Sequence, residues 1–117
     1  MRKTNKLYLE QLLERIERIE TIVTSIDKDR FYSEIINQDA LILNLEVIGE
    51  ICKRFTEEYK HSVPEVPWQK IQGMRNRLAH EYDGINLEIV WEAVTKFVPQ
   101  LKAIIEYQIK VIDTTKY

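Results

Sequence analysis

Apolar residues recur along this chain at steps of three and four, the spacing that gathers them on one face of an α-helix. Leu9, Leu12, Ile16, Ile19, Val23 and Ile26 follow it first, Leu13 and Ile22 widen the stripe, and Glu10, Glu14, Arg15, Glu17 and Arg18 cover much of the remaining surface. This predicts an amphipathic helix over 4–26 with one face against a core. A short helix starts at Asp27 or Asp29, either of which can cap exposed backbone amides, and carries Phe31, Ile35 and Ile36. A third helix, 38–60, has one seam of Leu41, Leu45, Ile48, Cys52, Phe55 and Tyr59 and a second of Leu43, Val47 and Ile51. Two stripes imply a central helix touched on both sides. Gly49 inside it costs up to about 1 kcal/mol relative to Ala, so its use there points to close approach of another backbone.

Val63-Pro64-Glu65-Val66-Pro67 ends that segment, and Pro67 is placed to start a fourth helix over 67–82 that stops at Asp83-Gly84. The last helix begins near Asn86, a good N-cap, with a seam of Leu87, Val90, Val94, Phe97, Leu101, Ile105, Ile109 and Ile112. Pro99 lies inside that seam with no capping residue just before it, which predicts a kink rather than a break. The reading is an all-α, compact antiparallel four- to five-helix bundle forming a single domain over 1–117. The long seams fit helices packed within one chain or across a dimer; short connections favour the former.

Composition agrees and narrows the function. Three Gly and three Pro in 117 residues are too few for the many turns of an all-β fold. Lys and Arg total 17 against 19 for Asp and Glu, a net charge of -2, so any nucleic-acid contact must rest on a local patch, on an oligomer or on weak binding rather than on a basic excess. Cys52 is the one cysteine, which excludes an internal disulfide and suits a reducing compartment. The basic start has no apolar run behind it, and the longest such run is Ala40-Leu41-Ile42-Leu43. Neither a signal peptide nor a membrane span is expected, and the chain reads as cytoplasmic.

One stretch concentrates candidate chemistry: Arg75-Asn76-Arg77-Leu78-Ala79-His80-Glu81-Tyr82-Asp83. His61, beside Ser62 before the proline loop, reads as an exposed loop residue. One Cys and two distant His give no recognisable metal-ligand set, and there is no phosphate-binding glycine loop or nucleophile elbow. No cofactor is implied. On an ideal helix Ile71, Met74 and Leu78 mark the buried direction, while Arg75 and His80 sit about 140° apart and about 7.5 Å along the axis. One helix cannot easily bring that pair to one point; two copies facing each other across a dimer could. From spacing alone, the simpler account has Arg75 pairing with a helix carboxylate and His80 solvated.

The same stretch resembles the R-N-x-x-x-H-x-Y signature of HepT-like proteins of the HEPN superfamily. Its flanks are similar too: Asn44-Leu45-Glu46-Val47-Ile48-Gly49-Glu50, Val66-Pro67-Trp68, and Gly84-Ile85-Asn86-Leu87-Glu88-Ile89-Val90-Trp91. The resemblance covers about Tyr8 to Ile109. It implies a helical bundle that works as a homodimer with the motifs meeting at the dimer cleft. It further implies a toxin that is a metal-independent endoribonuclease, paired with a cognate minimal nucleotidyltransferase antitoxin that silences it by AMP transfer onto Tyr82. Under that resemblance His80 exchanges protons as general acid or base, Arg75 stabilises phosphate charge, and Asn76 orients the phosphate or His80. Arg77, at a variable motif position, points outward and is an RNA contact or a solvated charge. The competing expectation is a non-catalytic helical module that binds a nucleotidyltransferase partner or a nucleotide.

Overall fold

The computed structural model describes residues 2–81 and 84–114. Every element among them is helical: α1 (Arg2–Val23), α2 (Lys28–Ser33), α3 (Ile35–Arg54), α4 (Glu57–Ser62), α5 (Trp68–His80), α6 (Leu87–Glu92), a π-turn (Ala93–Phe97) and α7 (Val98–Thr114). Cross-chain pairs fix the directions. Tyr8 packs edge-on against Phe55 and Arg15 bonds Asn44, so α1 and α3 run antiparallel. Phe55 meets the Trp68 ring and Gly49 lies against Arg75, so α3 and α5 do as well. Ion pairs from Lys6 to Asp113 (2.7 Å) and from Lys102 to Glu20 (2.9 Å) lay α7 antiparallel along α1. The result is the antiparallel all-α bundle that the seams imply, with α3 flanked by α1 and α5.

The core is built from the predicted stripes, except that in the second stripe of the third helix Ile51 is buried, Val47 is half-buried and Leu43 is exposed. Leu9, Leu12, Ile16 and Ile19 are sealed on α1, and Leu41, Leu45, Ile48, Ile51 and Cys52 are buried on α3. Burial pushes the Cys52 thiol up to about 12, against a weaker opposing pull from Lys60, so at neutral pH the sulfur is a packed thiol rather than a nucleophile. Asn44 is the buried polar residue of this helix; it accepts from Arg15 Nη1 and donates to the Ala40 carbonyl. Asp27 caps α2 by accepting from the Arg30 amide, and Asn86 caps α6 by accepting from the amides of Glu88 and Ile89.

Three local expectations are corrected. The helix expected over 38–60 is two: the chain turns extended at Phe55 and restarts as α4, with the Thr56 hydroxyl accepting from the Tyr59 amide. Phe55 and Tyr59 remain in step with the seam because their rings stack across the break at 5.0 Å. Ile35 and Ile36 do not belong to α2; they open α3 and stand 69% and 83% exposed. In the last helix the seam passes through Val98, which is 3% exposed, and Phe97 is only half-buried. The cause is the π-turn at 93–97, where the Val98 amide donates to the Ala93 carbonyl five residues back. A wider turn makes the step from Val94 to the next core residue four rather than three. The helix runs on through Pro99 without a break.

Candidate active site

α5 carries the motif and is tied to the scaffold at its start and again midway along its length. At its start, Trp68 Nε1 donates to the carbonyls of Lys60 (3.1 Å) and Val63 (3.0 Å), pinning the helix to the end of α4. Ile71 and Leu78 are buried and hold the apolar face inward. Midway, Gly49 of α3 meets the stem of Arg75: a Cβ on residue 49 would come within 2.6 Å of Arg75 Cγ. What approaches Gly49 most closely is the side-chain stem of Arg75 rather than the other helix's backbone, and a glycine is the residue that lets that stem lie flat on α3.

That seating sets the guanidinium. Arg75 is half-buried; its Nη2 lies 2.8 Å from Glu50 Oε2, and its Nη1 donates to Asn76 Oδ1 at 3.1 Å. Gln72 Nε2 donates to the same Asn76 oxygen at 3.1 Å. Asn76 Oδ1 is thus occupied twice, which turns its amide NH2 outward as a donor. Arg75 Nε is buried without a hydrogen-bond partner among the described residues. An unsatisfied buried N–H costs about 1–3 kcal/mol, so packing elsewhere must hold this arrangement in place.

The structure thus joins Arg75 and Asn76 into one hydrogen-bonded group with Glu50 and Gln72. It does not bring His80 into that group within one chain. His80 is exposed at the last turn of α5, and its imidazole makes no hydrogen bond or ion pair among the described residues. The carboxylate pairing that spacing alone suggested for Arg75 is realised, across helices, by Glu50. Glu50 and Gln72 are the residues that reading the motif missed. Gln72, four residues before Asn76, carried a visible helical signal; Glu50 was visible only as the neighbour of Gly49. Arg77 is exposed on another side of α5 and lines a cleft of about 450 Å³ between α5 and α6. Tyr82, the residue to which AMP transfer was assigned, lies outside the described residues. His61 is exposed at the end of α4. Among the described residues no group of three His, Cys, Asp or Glu is placed to hold a metal ion, and no helix is long and apolar enough to cross a membrane.

Comparison with known proteins bears on this geometry. A family model described as ribonuclease HepT-like matches residues 12–108. A candidate RNase of Caldanaerobacter subterraneus subsp. tengcongensis is 37% identical over 100 residues, covering 86% of this chain and 89% of that protein. A probable ribonuclease HepT of Thermococcus cleftensis is 36% identical over 102 residues, covering 87% and 93%. A gamma-glutamylcyclotransferase and candidate RNase of Methanocaldococcus jannaschii is 36% identical over 116 residues; the match spans 99% of this chain but 52% of that longer protein. No solved structure matches the chain at a significant level. The matched span takes in both Gly49 and the whole of α5, and on it this chain belongs to the HepT-like ribonuclease family of the HEPN superfamily.

Proposed function

We propose that this protein is the toxin of a HEPN–nucleotidyltransferase toxin–antitoxin pair, a cytoplasmic, metal-independent endoribonuclease that cleaves RNA through the RNA's own 2′-OH. The observation that carries the reading is the Arg75–Asn76–Glu50 group, seated on Gly49 in a HepT-like chain, with His80 exposed on the same helix. In the reaction the 2′-oxygen attacks the adjacent phosphorus, the bond to the 5′-oxygen breaks, and a 2′,3′-cyclic phosphate remains. No protein nucleophile is needed. The 2′-OH gives up a proton and the leaving 5′-oxygen takes one, and an imidazole suits either transfer at neutral pH. Arg75 offers a planar, permanently charged fork to the phosphorane oxygens, and Glu50 holds that fork before substrate arrives. Asn76 turns its amide NH2 toward the phosphate.

A homodimer completes the site in this reading, because Arg75 and His80 diverge on one helix. Supporting it, the exposed Ile36 and Leu43 stand on α3 at the spacing that continues through Val47 to Glu50, so an apolar stripe leads up to the Arg75 group. AMP on Tyr82, two residues beyond His80, would place bulk and negative charge where RNA phosphate binds. The nucleotidyltransferase that supplies the AMP is the antitoxin.

The test is cleavage of total RNA in EDTA by protein whose intact mass shows no AMP. We expect cyclic-phosphate ends from wild type and none from Arg75→Ala or His80→Ala. Mixing the two inactive variants should restore part of the activity if the residues act across a dimer. A folded, unmodified wild type that leaves several RNAs uncut would instead support a non-catalytic module that docks the nucleotidyltransferase.

A further inference from the structure

The cleft between α5 and α6 lies outside the Arg75 group, and the chemistry of its walls is specific. Its volume of about 450 Å³ falls within the roughly 300–1,000 Å³ of small-ligand sites. Met74, Ile85 and Ile89 give it an apolar lining, and Lys70 and Arg77 stand on it as cations. Neither cation forms an ion pair among the described residues. Lys70 is held instead with its ammonium 5.0 Å from the centre of the Phe97 ring. Asn86 adds a directed donor: its Oδ1 is committed to the amides of Glu88 and Ile89, which leaves its Nδ2 for a ligand. Glu81 is the acid on the cleft and can accept from an exocyclic amine.

Gly73 is the most telling residue. It lines the cleft from the middle of α5, yet a Cβ there would meet nothing within 4 Å. Packing does not demand a glycine, and among residues other than proline it is the one helices tolerate least. Its effect is to keep a flat gap open on the helix surface. Gly73, Arg77 and His80 follow the i, i+4, i+7 spacing, and on an ideal helix Gly73 and His80 differ by only about 20° around the axis and about 10 Å along it. The cleft therefore opens along the stripe that ends at His80.

We propose that this cleft is a nucleotide subsite for the RNA strand, taking the base of a nucleotide next to the scissile phosphate. This rests on the ribonuclease reading above and adds where the strand runs. The flat base lies over Gly73 between Met74 and Ile89, and its polar edge meets Asn86 and Glu81. Lys70 and Arg77 hold the phosphate that follows. An apolar slot with a cationic rim suits a base joined to a phosphate better than it suits an apolar peptide helix.

The test fills the gap without unmaking the helix. In a His80→Ala background, which keeps RNA intact under the reading above, binding of a fluorescein-labelled single-stranded RNA of mixed sequence is compared with and without Gly73→Leu. Leu favours helix and meets open space, so melting should hold or rise while RNA affinity falls at least tenfold. Replacing the bases of the RNA by abasic sites should lower affinity for the parent and abolish the difference between the two proteins. Equal binding of intact RNA by Gly73→Leu and its parent overturns the proposal. So does AMP alone binding as tightly as the RNA in a Gly73-sensitive way, which would make the cleft a free-nucleotide site. The readout is separate from catalysis. Gly73-sensitive RNA binding with no wild-type cleavage removes only the nuclease reading, and full cleavage with Gly73-insensitive binding removes only the subsite.

Discussion

On its α1 side, α3 packs on the helix whose Leu9, Leu12, Ile16 and Ile19 are none more than 1% exposed, and the buried face of that helix is apolar. On its α5 side the same helix presents a bare glycine to the stem of an arginine and a carboxylate to its head. One side of α3 is organised for burial. The other spends close packing on fixing the direction of one charged group, and even leaves Arg75 Nε without a partner. A HepT-like domain thus separates stability from positioning on opposite sides of a single central helix.

The comparison can be broken at its strongest point first. Ile16→Ala removes a sealed side chain from the α1 seam and should cost about 2–5 kcal/mol, seen as a lower denaturation midpoint. Gly49→Ala should cost about 1–3 kcal/mol, because the new methyl group overlaps the Arg75 stem, and RNA cleavage should fall further than stability as the guanidinium is displaced. A glycine-to-alanine change of opposite sign sharpens the point. Gly73→Ala has open space around the new Cβ and should gain roughly 0.5–1 kcal/mol from helix propensity, visible as a raised melting temperature. The smallest effect belongs to Glu50→Gln. Its side chain is 42% exposed, so loss of the ion pair should lower stability by about 1 kcal/mol or less. A drop as large as that of Ile16→Ala would show that the α5 seam is held by charge and would undo the contrast.

How much of this was legible in the sequence follows the same division. The α1 seam could be read residue by residue, because apolar periodicity is the physical cause of its burial. Gly49 was recognisable as a point of close approach, but not what approached it. That partner comes from a helix some 25 residues away, and no local pattern records such a pairing. The break at Phe55 stayed hidden because Phe55 and Tyr59 keep helical spacing across it, although Thr56 is a capping residue in plain view. Phe97 was read as core because steps of three and four assume an unbroken α-register. Ile35 and Ile36 were assigned to the second helix because apolar spacing does not mark Glu34, the extended residue that separates α2 from α3. The divergence of Arg75 from His80 was legible from helical geometry, and in the structure Arg75 is half-buried beside Glu50 while His80 is exposed outside that group.

The π-turn at 93–97 gives this chain a tolerance in length. A π-turn is an α-helix with one residue to spare. A relative lacking a residue within this stretch could close the turn to ordinary α-register and still present Val90 and Leu101 to the same core. The same deletion in the middle of α3 would have no slack to absorb it. Every following residue would swing by about 100°, carrying Gly49 off the Arg75 stem. Length variation among these proteins should therefore collect at the start of the last helix and be absent from the central one.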